Sequence, residues 1–499
     1  MKYLFAILLL TLPFAHATAG APVVINPDSV VKRNVKGASG ANIVYLLDSD
    51  ATHPRPRSMR DALTLLGAGC LRFSEGHLAD NYLWTVPPYD EAVNGLHPRI
   101  ASAYAEPAHW EWAVDKRGFI RTGLDFDDYI ALCRQVGAEP IITVNLLSCT
   151  YKGGPTREEL IRSAAEWVRY ANVVKKYGVR YWQLGNEVEK YDNEKAKTDR
   201  SYLLTEVLSE EQYCDLYGRM ASAMMEVDPA IRVGTGVMGK PSWNKTVLNR
   251  WPHLVRFISC HQYAWGAPFG EGGYPAWKEY KGVHIPNIRK MENLLASSSA
   301  YRDIEILVTE TGSTGGGWPE QLPDSGKRPR YVNDLYKALN NLEMNLAELS
   351  APHVRYTCFW CTHTPWNGEN CTVGLESLLD GNNDLTATGK TASLINRYLL
   401  PNILGTDYVQ GYLRIRASAS DNGDQITLFV INKGQRSEPF AFSIAGAETY
   451  TLVEKALFAG HSPYDTNPEI HSETLHRQAG LFEAQLPPCS ATVFRLSRN

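Results

Sequence analysis

Tyr181-Trp182-Gln183-Leu184-Gly185-Asn186-Glu187 is a short apolar run that stops at a glycine and then delivers an amide and a carboxylic acid. Such a run, bounded by a turn residue, reads as a buried strand, and its C-terminal end is where parallel α/β folds carry their chemistry. The stretch from Ile304 to Gly312 repeats the arrangement, with an apolar strand that ends at Glu310. Alternation puts Ile306, Val308 and Glu310 on one side, so the acid continues an inward-facing row.

Outward from these two stretches, further strands are expected at Ala41–Leu46, Cys70–Phe73, Pro140–Leu146, Arg180–Leu184, Ile231–Thr235, Phe257–His261, Glu305–Thr309 and Arg355–Trp360. Amphipathic helical patterns separate them, among them Leu124–Val136, Thr156–Tyr177, Tyr331–Leu349 and one opened by Ser209 with Gln212 three positions on. Eight strands alternating with helices predict a (β/α)₈ TIM barrel over residues 38–404, an α/β fold. A doubly wound open sheet shares this pattern, because counting strands does not close a ring. The long segments 74–120, 262–285, 311–330 and 361–380 all follow strands, so a barrel gathers them on one face with Glu187, after strand four, and Glu310, after strand seven.

Residues 405–499 change character. Gln425–Ile431, Thr449–Glu454 and Thr492–Leu496, separated by Gly, Asn and Pro, predict a C-terminal antiparallel β-sandwich, and residues 21–37 are expected to add Val23–Ile25 to it. Residues 1–20 read as a signal peptide, with Lys2, the apolar run Leu4–Phe14 and a cleavage site near Ala17 to Ala19. A secreted or periplasmic protein with no membrane anchor is expected.

Composition excludes several functions. With 499 residues, 44% of them hydrophobic, the chain can bury a large core, and a net charge of −4 argues against a nucleic-acid partner. Nine cysteines in so long a chain do not form a disulfide scaffold; for Cys358 and Cys361, zinc or redox use, buried thiols and a bridge to Cys371 stay open. Without an H-E-x-x-H pattern, no metal is expected, and no cofactor. Gly234 to Gly239 formally match a dinucleotide fingerprint, discounted because Pro241 follows and no strong amphipathic helix is expected to begin there. A facing pair of carboxylates is instead what glycosidic-bond cleavage requires, one to protonate the leaving oxygen and one to attack or stabilise the anomeric carbon.

Asn186-Glu187 after strand four with Glu310 after strand seven resembles clan A of the glycoside hydrolases, retaining enzymes on (β/α)₈ barrels. Leu71–Gly76 with Tyr82 and Trp84, Leu124–Leu147, Ala164–Asn172, Tyr181–Tyr191 and the closing Leu486–Leu496 are similar to the α-L-arabinofuranosidases of glycoside hydrolase family 51 and the related β-glucuronidase/heparanase group. The resemblance implies a retaining glycoside hydrolase on a poly- or oligosaccharide, α-L-arabinofuranosidase-like. Glu310 is then the nucleophile and Glu187 the acid/base. Asn186 binds the 2-hydroxyl of the reacting sugar, Arg72 fixes the nucleophile, a Tyr263 hydroxyl with His261 borders it, and Trp360 forms a platform beneath the ring. A buried structural role is the alternative for His261 and Tyr263, and a core tryptophan is the alternative for Trp360. Trp110, Trp112, Trp265, Trp277 and Trp318 are candidates for outer subsites. Relatives often carry Pro-Gly-Gly after the strand-two arginine, whereas Ser74, Glu75 and Gly76 stand here, so Glu75 is expected to put bulk and charge against the sugar. The alternatives are a uronic-acid or agar-type glycosidase on the same scaffold and, from another class, a non-catalytic carbohydrate-binding barrel.

Overall fold

Eight short parallel strands close on one another: Ser39–Asn42, Cys70–Phe73, Glu139–Val144, Tyr181–Leu184, Arg232–Thr235, Val255–Ala264, Glu305–Ser313 and Val354–Phe359. The eighth pairs with the first, Thr357 opposite Ser39, and that pairing makes the sheet a barrel rather than an open sheet. The computed structural model describes residues 21–80, 82–84, 99–100, 123–151, 154–191, 206–264, 273–313, 333–364, 377–406, 408–446 and 449–498. The expected signal peptide, Trp110, Trp112, Trp265, Trp318 and Cys371 lie outside them.

The first strand is shorter than the apolar run over Ala41–Leu46 suggests. Gly40 lets it lie against the second strand, since a Cβ there would stand 1.7 Å from the Cys70 carbonyl oxygen. Past Asn42 a turn takes over: the Asp48 carboxylate accepts from Val44 N at 2.7 Å, and Asp48 N donates back to Val44 O at 3.0 Å. Val44 and Leu47 consequently pack against Trp360 instead of continuing the sheet.

Helices begin where side chains satisfy their free N–H groups. Reciprocal capping boxes open Arg157–Val168 at Thr156 and Glu210–Val227 at Ser209. Asp125 caps Phe126–Val136, and Asp334 caps Leu335–Leu349. The pattern over Thr156–Tyr177 divides, because the chain widens into a π-helical turn at Arg169–Val174. One expectation is wrong: a helix, Pro241–Arg250, does begin right after Gly239, with proline in the first turn, where its missing N–H costs nothing. The preceding glycines are nevertheless accounted for by packing, since a Cβ on Gly234 or Gly236 would stand 2.2 Å from the Phe257 ring or the Gly185 carbonyl.

Beyond the barrel, an eight-stranded sheet faces a three-stranded one. The period of two along Gln425–Asn432 divides the labour: Ile426, Leu428 and Val430 face the small sheet, with Phe440, Phe442 and Phe482. Phe429 and Ile431 face the barrel side, with Leu339 and Leu342. Val23–Ile25 pairs in parallel with Glu438–Ile444 of the small sheet, whereas Val30–Lys32 joins the large one beside Asn402–Leu404.

Where barrel and sandwich meet, Glu343 forms ion pairs with Arg414 and Lys433, each at 3.2 Å, and all three are buried. Lys433 Nζ also sits 4.5 Å above the centre of the Trp277 ring. Trp277 is therefore an interior residue, fully buried with its ring N–H donated to Asn340, and not an outer sugar subsite. Seven of the eight described cysteines are likewise buried, and Cys149 is partly so. Among the described residues no disulfide forms; Cys358 Sγ lies 3.7 Å from Cys70 Sγ, while Cys361 Sγ donates to the His363 carbonyl.

Removing one partner from a buried ion cluster strands the others. Glu343→Gln, which leaves Arg414 and Lys433 buried without their shared anion, is expected to destabilise the protein by about 3–5 kcal/mol. Urea unfolding measures this; a loss within error of zero would mean that the cluster holds nothing together.

Candidate active site

At the C-terminal end of the barrel, Arg72 is a full positive charge with no solvent exposure. Its Nη1 donates to Glu310 Oε1 at 3.0 Å and to Asn42 Oδ1 at 2.8 Å, while Nη2 donates to Asn186 Oδ1 at 2.7 Å. The other Glu310 oxygen accepts from the Tyr263 hydroxyl at 2.7 Å. Both carboxylate oxygens are thereby held in a fixed orientation.

Glu187 reaches the same centre through the backbone. Gly185 at φ 81° and Glu187 at φ 48° both lie in the left-handed region, which turns the chain sharply as it leaves the fourth strand. On the sixth strand a register shift between Cys260 and His261 brings His261 beside Glu310. His261 Nδ1 then lies 2.8 Å from Glu187 Oε1 and 3.3 Å from Glu310 Oε2. One oxygen of Glu187 and one of Glu310 come within 4.8 Å of each other. Lys190, three residues on, forms an ion pair with Glu187 Oε2.

Glu187, His261 and Glu310 also offer the donor atoms of a cation site. Their partners suit that use poorly. Arg72 already neutralises Glu310 and Lys190 already faces Glu187, so a divalent ion would sit against a guanidinium and an ammonium. The arrangement fits a hydrogen-bonded pair of acids better than a metal centre.

Glu75 does not do what its position in the sequence suggests. Its side chain is fully buried, with Oε2 accepting from Leu78 N at 2.9 Å and Oε1 without a partner among the described residues. Burial pushes its acid up to about 8; the Leu78 N–H opposes this and the charge of Glu310 adds to it. Burial thus favours its protonated, uncharged form. The next residue, Gly76, makes the close approach, because a Cβ there would stand 2.6 Å from Glu310 Oε1 and 2.9 Å from the Trp360 ring. Trp360, directly after the eighth strand, thus borders the same space as Glu310. Asp80, also buried, is pushed well above the usual carboxylate range by desolvation.

The structure thus brings together Arg72, Asn186, Glu187, His261, Tyr263, Glu310 and Trp360. Reasoning from the sequence alone missed Asn42 and Lys190. A polar residue closing the first strand was the available signal for Asn42; nothing in the spacing of Lys190 marks it.

No family model matches the chain. Over 214 residues it is 23% identical to an intracellular exo-α-(1→5)-L-arabinofuranosidase of Bifidobacterium longum, a match that covers 41% of this chain and 33% of that enzyme. The chain thus spans about a third of the length of that curated relative. In fold it is similar along almost its whole length to the α-L-arabinofuranosidase of Thermotoga maritima, solved with arabinose, at a TM-score of 0.68 and 18% identity over 95% of this chain and 99% of that one. A glycoside hydrolase family 44 xyloglucanase of Paenibacillus polymyxa aligns with a TM-score of 0.60 and 12% identity, over 96% of this chain and all of that one. The barrel-plus-sandwich architecture is common to all of these structures.

Glu75 gives a test by pH. Its folded acid titrates near 8 against an ordinary 4.5, so the folded protein keeps a proton that the unfolded chain has released. Its stabilising share is complete below pH 4.5 and is lost as pH rises towards about 8. Melting curves across that range should show the wild type losing Tm relative to Glu75→Gln, with the gap levelling above pH 8. Parallel curves would place the proton elsewhere.

Proposed function

We propose that this protein is a retaining O-glycoside hydrolase of the α-L-arabinofuranosidase type, acting on a poly- or oligosaccharide. One observation carries the reading: two buried carboxylates at the ends of the fourth and seventh strands come within 4.8 Å, one clamped through both oxygens and the other beside an imidazole. Inverting enzymes need about 6.5–9.5 Å between their acids to admit a water, whereas retaining enzymes need only about 5–5.5 Å.

In the first step a Glu310 oxygen attacks the anomeric carbon as the glycosidic C–O bond breaks, and the proton of Glu187 passes to the departing oxygen. In the second, water attacks the glycosyl-enzyme, Glu187 takes its proton, and Glu310 is released. Arg72 and Tyr263 keep Glu310 aimed throughout. Asn186 Nδ2 is buried without a partner among the described residues while Arg72 holds its Oδ1, which leaves the amide set to donate to a sugar 2-hydroxyl. Trp360 offers an aromatic face for the sugar ring.

A uronide at this sugar position would call for cations near the loop after the second strand. The described acids there, Glu75 and Asp80, do not supply them. Among the described residues no helix is long and apolar enough to cross a membrane.

A proton NMR time course should show the first-formed anomer with the substrate's configuration; an inverted first product would contradict the assignment. The two acids separate by role. Glu310→Ala should lose at least about a thousandfold in turnover on every substrate. Glu187→Ala should spare the first step for glycosides of acidic phenols, and azide should restore its turnover with a product of retained configuration. An azide product of opposite configuration from Glu187→Ala would reverse the roles, full activity in either variant would remove that residue from the mechanism, and a wild type that hydrolyses no glycoside would support the non-catalytic barrel.

A further inference from the structure

A general acid must carry its proton when the substrate arrives, and an ammonium touching its carboxylate favours the ionised form instead. Lys190 makes that contact with Glu187. Local geometry builds the pair: Lys190 lies in the turn Val188–Tyr191, and its backbone N–H bonds to the Glu187 carbonyl at 2.9 Å. The turn is also anchored from behind. The buried Glu189 carboxyl accepts from Gly239 N at 2.8 Å, and Lys240 Nζ reaches the Glu189 carbonyl at 3.4 Å. The Lys190 side chain that reaches Glu187 sits on a flexible four-carbon stem.

The two oxygens of Glu187 face different surroundings. Oε1 lies against His261, which also reaches Glu310, so it is the oxygen on the nucleophile's side. Oε2 meets Lys190, whose side chain is 32% exposed against 4% for Glu187, so the ammonium stands on the solvent side of the acid. If Glu187 protonates the glycosidic oxygen, that side belongs to the leaving group. Among the described residues, the titratable or charged groups facing Glu187 besides Lys190 include His261 and Glu310 from the sixth and seventh strands, Asp80 from the turn after the second, and Glu189 beside it. Arg72 acts one residue away through Asn186.

Resting on the glycosidase reading above, we propose that Lys190 selects substrates whose departing portion carries a carboxylate, as a uronate-bearing saccharide does. The carboxylate draws the ammonium off Glu187, which takes a proton from water and then gives it to the leaving oxygen. An acidic aglycone thereby assists its own departure, while the sugar that becomes attached to Glu310 is neutral.

The test compares two aryl α-L-arabinofuranosides of matched phenol acidity, one bearing a ring carboxylate, in the wild type, Lys190→Met and Lys190→Arg. The wild type should favour the carboxylate by about tenfold in kcat/KM, the size of one charge-assisted contact. Salt should erode that preference, because the ammonium is partly exposed. The alkaline limb of kcat should lie at higher pH for the carboxylate substrate, since the bound complex has lost the ammonium that favours ionised Glu187. Lys190→Met should bring the ratio to about one, and Lys190→Arg should retain a preference. Equal wild-type kcat/KM for the two substrates, or a preference that survives Lys190→Met, overturns the proposal. Should the variants fail to fold, a wild-type ratio insensitive to salt overturns it alone. Hydrolysis without preference strikes only the role of Lys190, whereas no hydrolysis of either substrate removes the glycosidase reading and this inference with it.

Discussion

Arg72 carries a permanent charge into a place without water, and the top of the barrel is organised around satisfying it. Isolated, such a charge would cost several kcal/mol, and acceptors on both Nη atoms offset that cost, while Nε has no partner among the described residues. The acceptors come from three other strands: Asn42 at the end of the first, Asn186 after the fourth and Glu310 on the seventh. One guanidinium therefore fixes the relative positions of four strand ends. Its planar fork does this where a lysine, a point charge on a flexible stem, would not.

The remaining charges follow from that constraint. Glu310, paired with Arg72 and bonded by Tyr263, is the acid whose ionised form is matched on both oxygens. Glu75 and Asp80, buried in the same neighbourhood without a cation in contact, are pushed towards their neutral forms. Four acids lie close together, and Glu75 and Asp80 thereby shape the pocket without adding charge to the Glu187–Glu310 pair.

Much of this is legible from sequence because strand ends are local features. Glu187 and Glu310 each close an apolar run, and the barrel follows from the alternation of such runs with capped helices. What is not legible is set by contacts between distant segments. The run after Asn42 is as apolar as a strand, and only the hydrogen bonds of Asp48 to Val44 turn it away. Pro241 reads as a break but opens a helix, since the first turn needs no N–H from it. Trp277 reads as a sugar platform until Lys433 and Asn340 are found against it. The departure at Glu75 is visible in the sequence, but its burial and neutrality depend on the folded surroundings, and Lys190 gains meaning only from its contact with Glu187.

The central claim is that the carboxylate clamped by Arg72 and Tyr263 is the one that bonds to the sugar. Rapid quenching of the Glu187→Ala protein with an aryl α-L-arabinofuranoside of an acidic phenol, followed by peptide mass spectrometry, tests it directly. The account predicts one pentosyl group, in ester linkage, on the peptide containing Glu310. A substrate consumed with no adduct on any peptide, or an adduct on a different carboxylate, would contradict it.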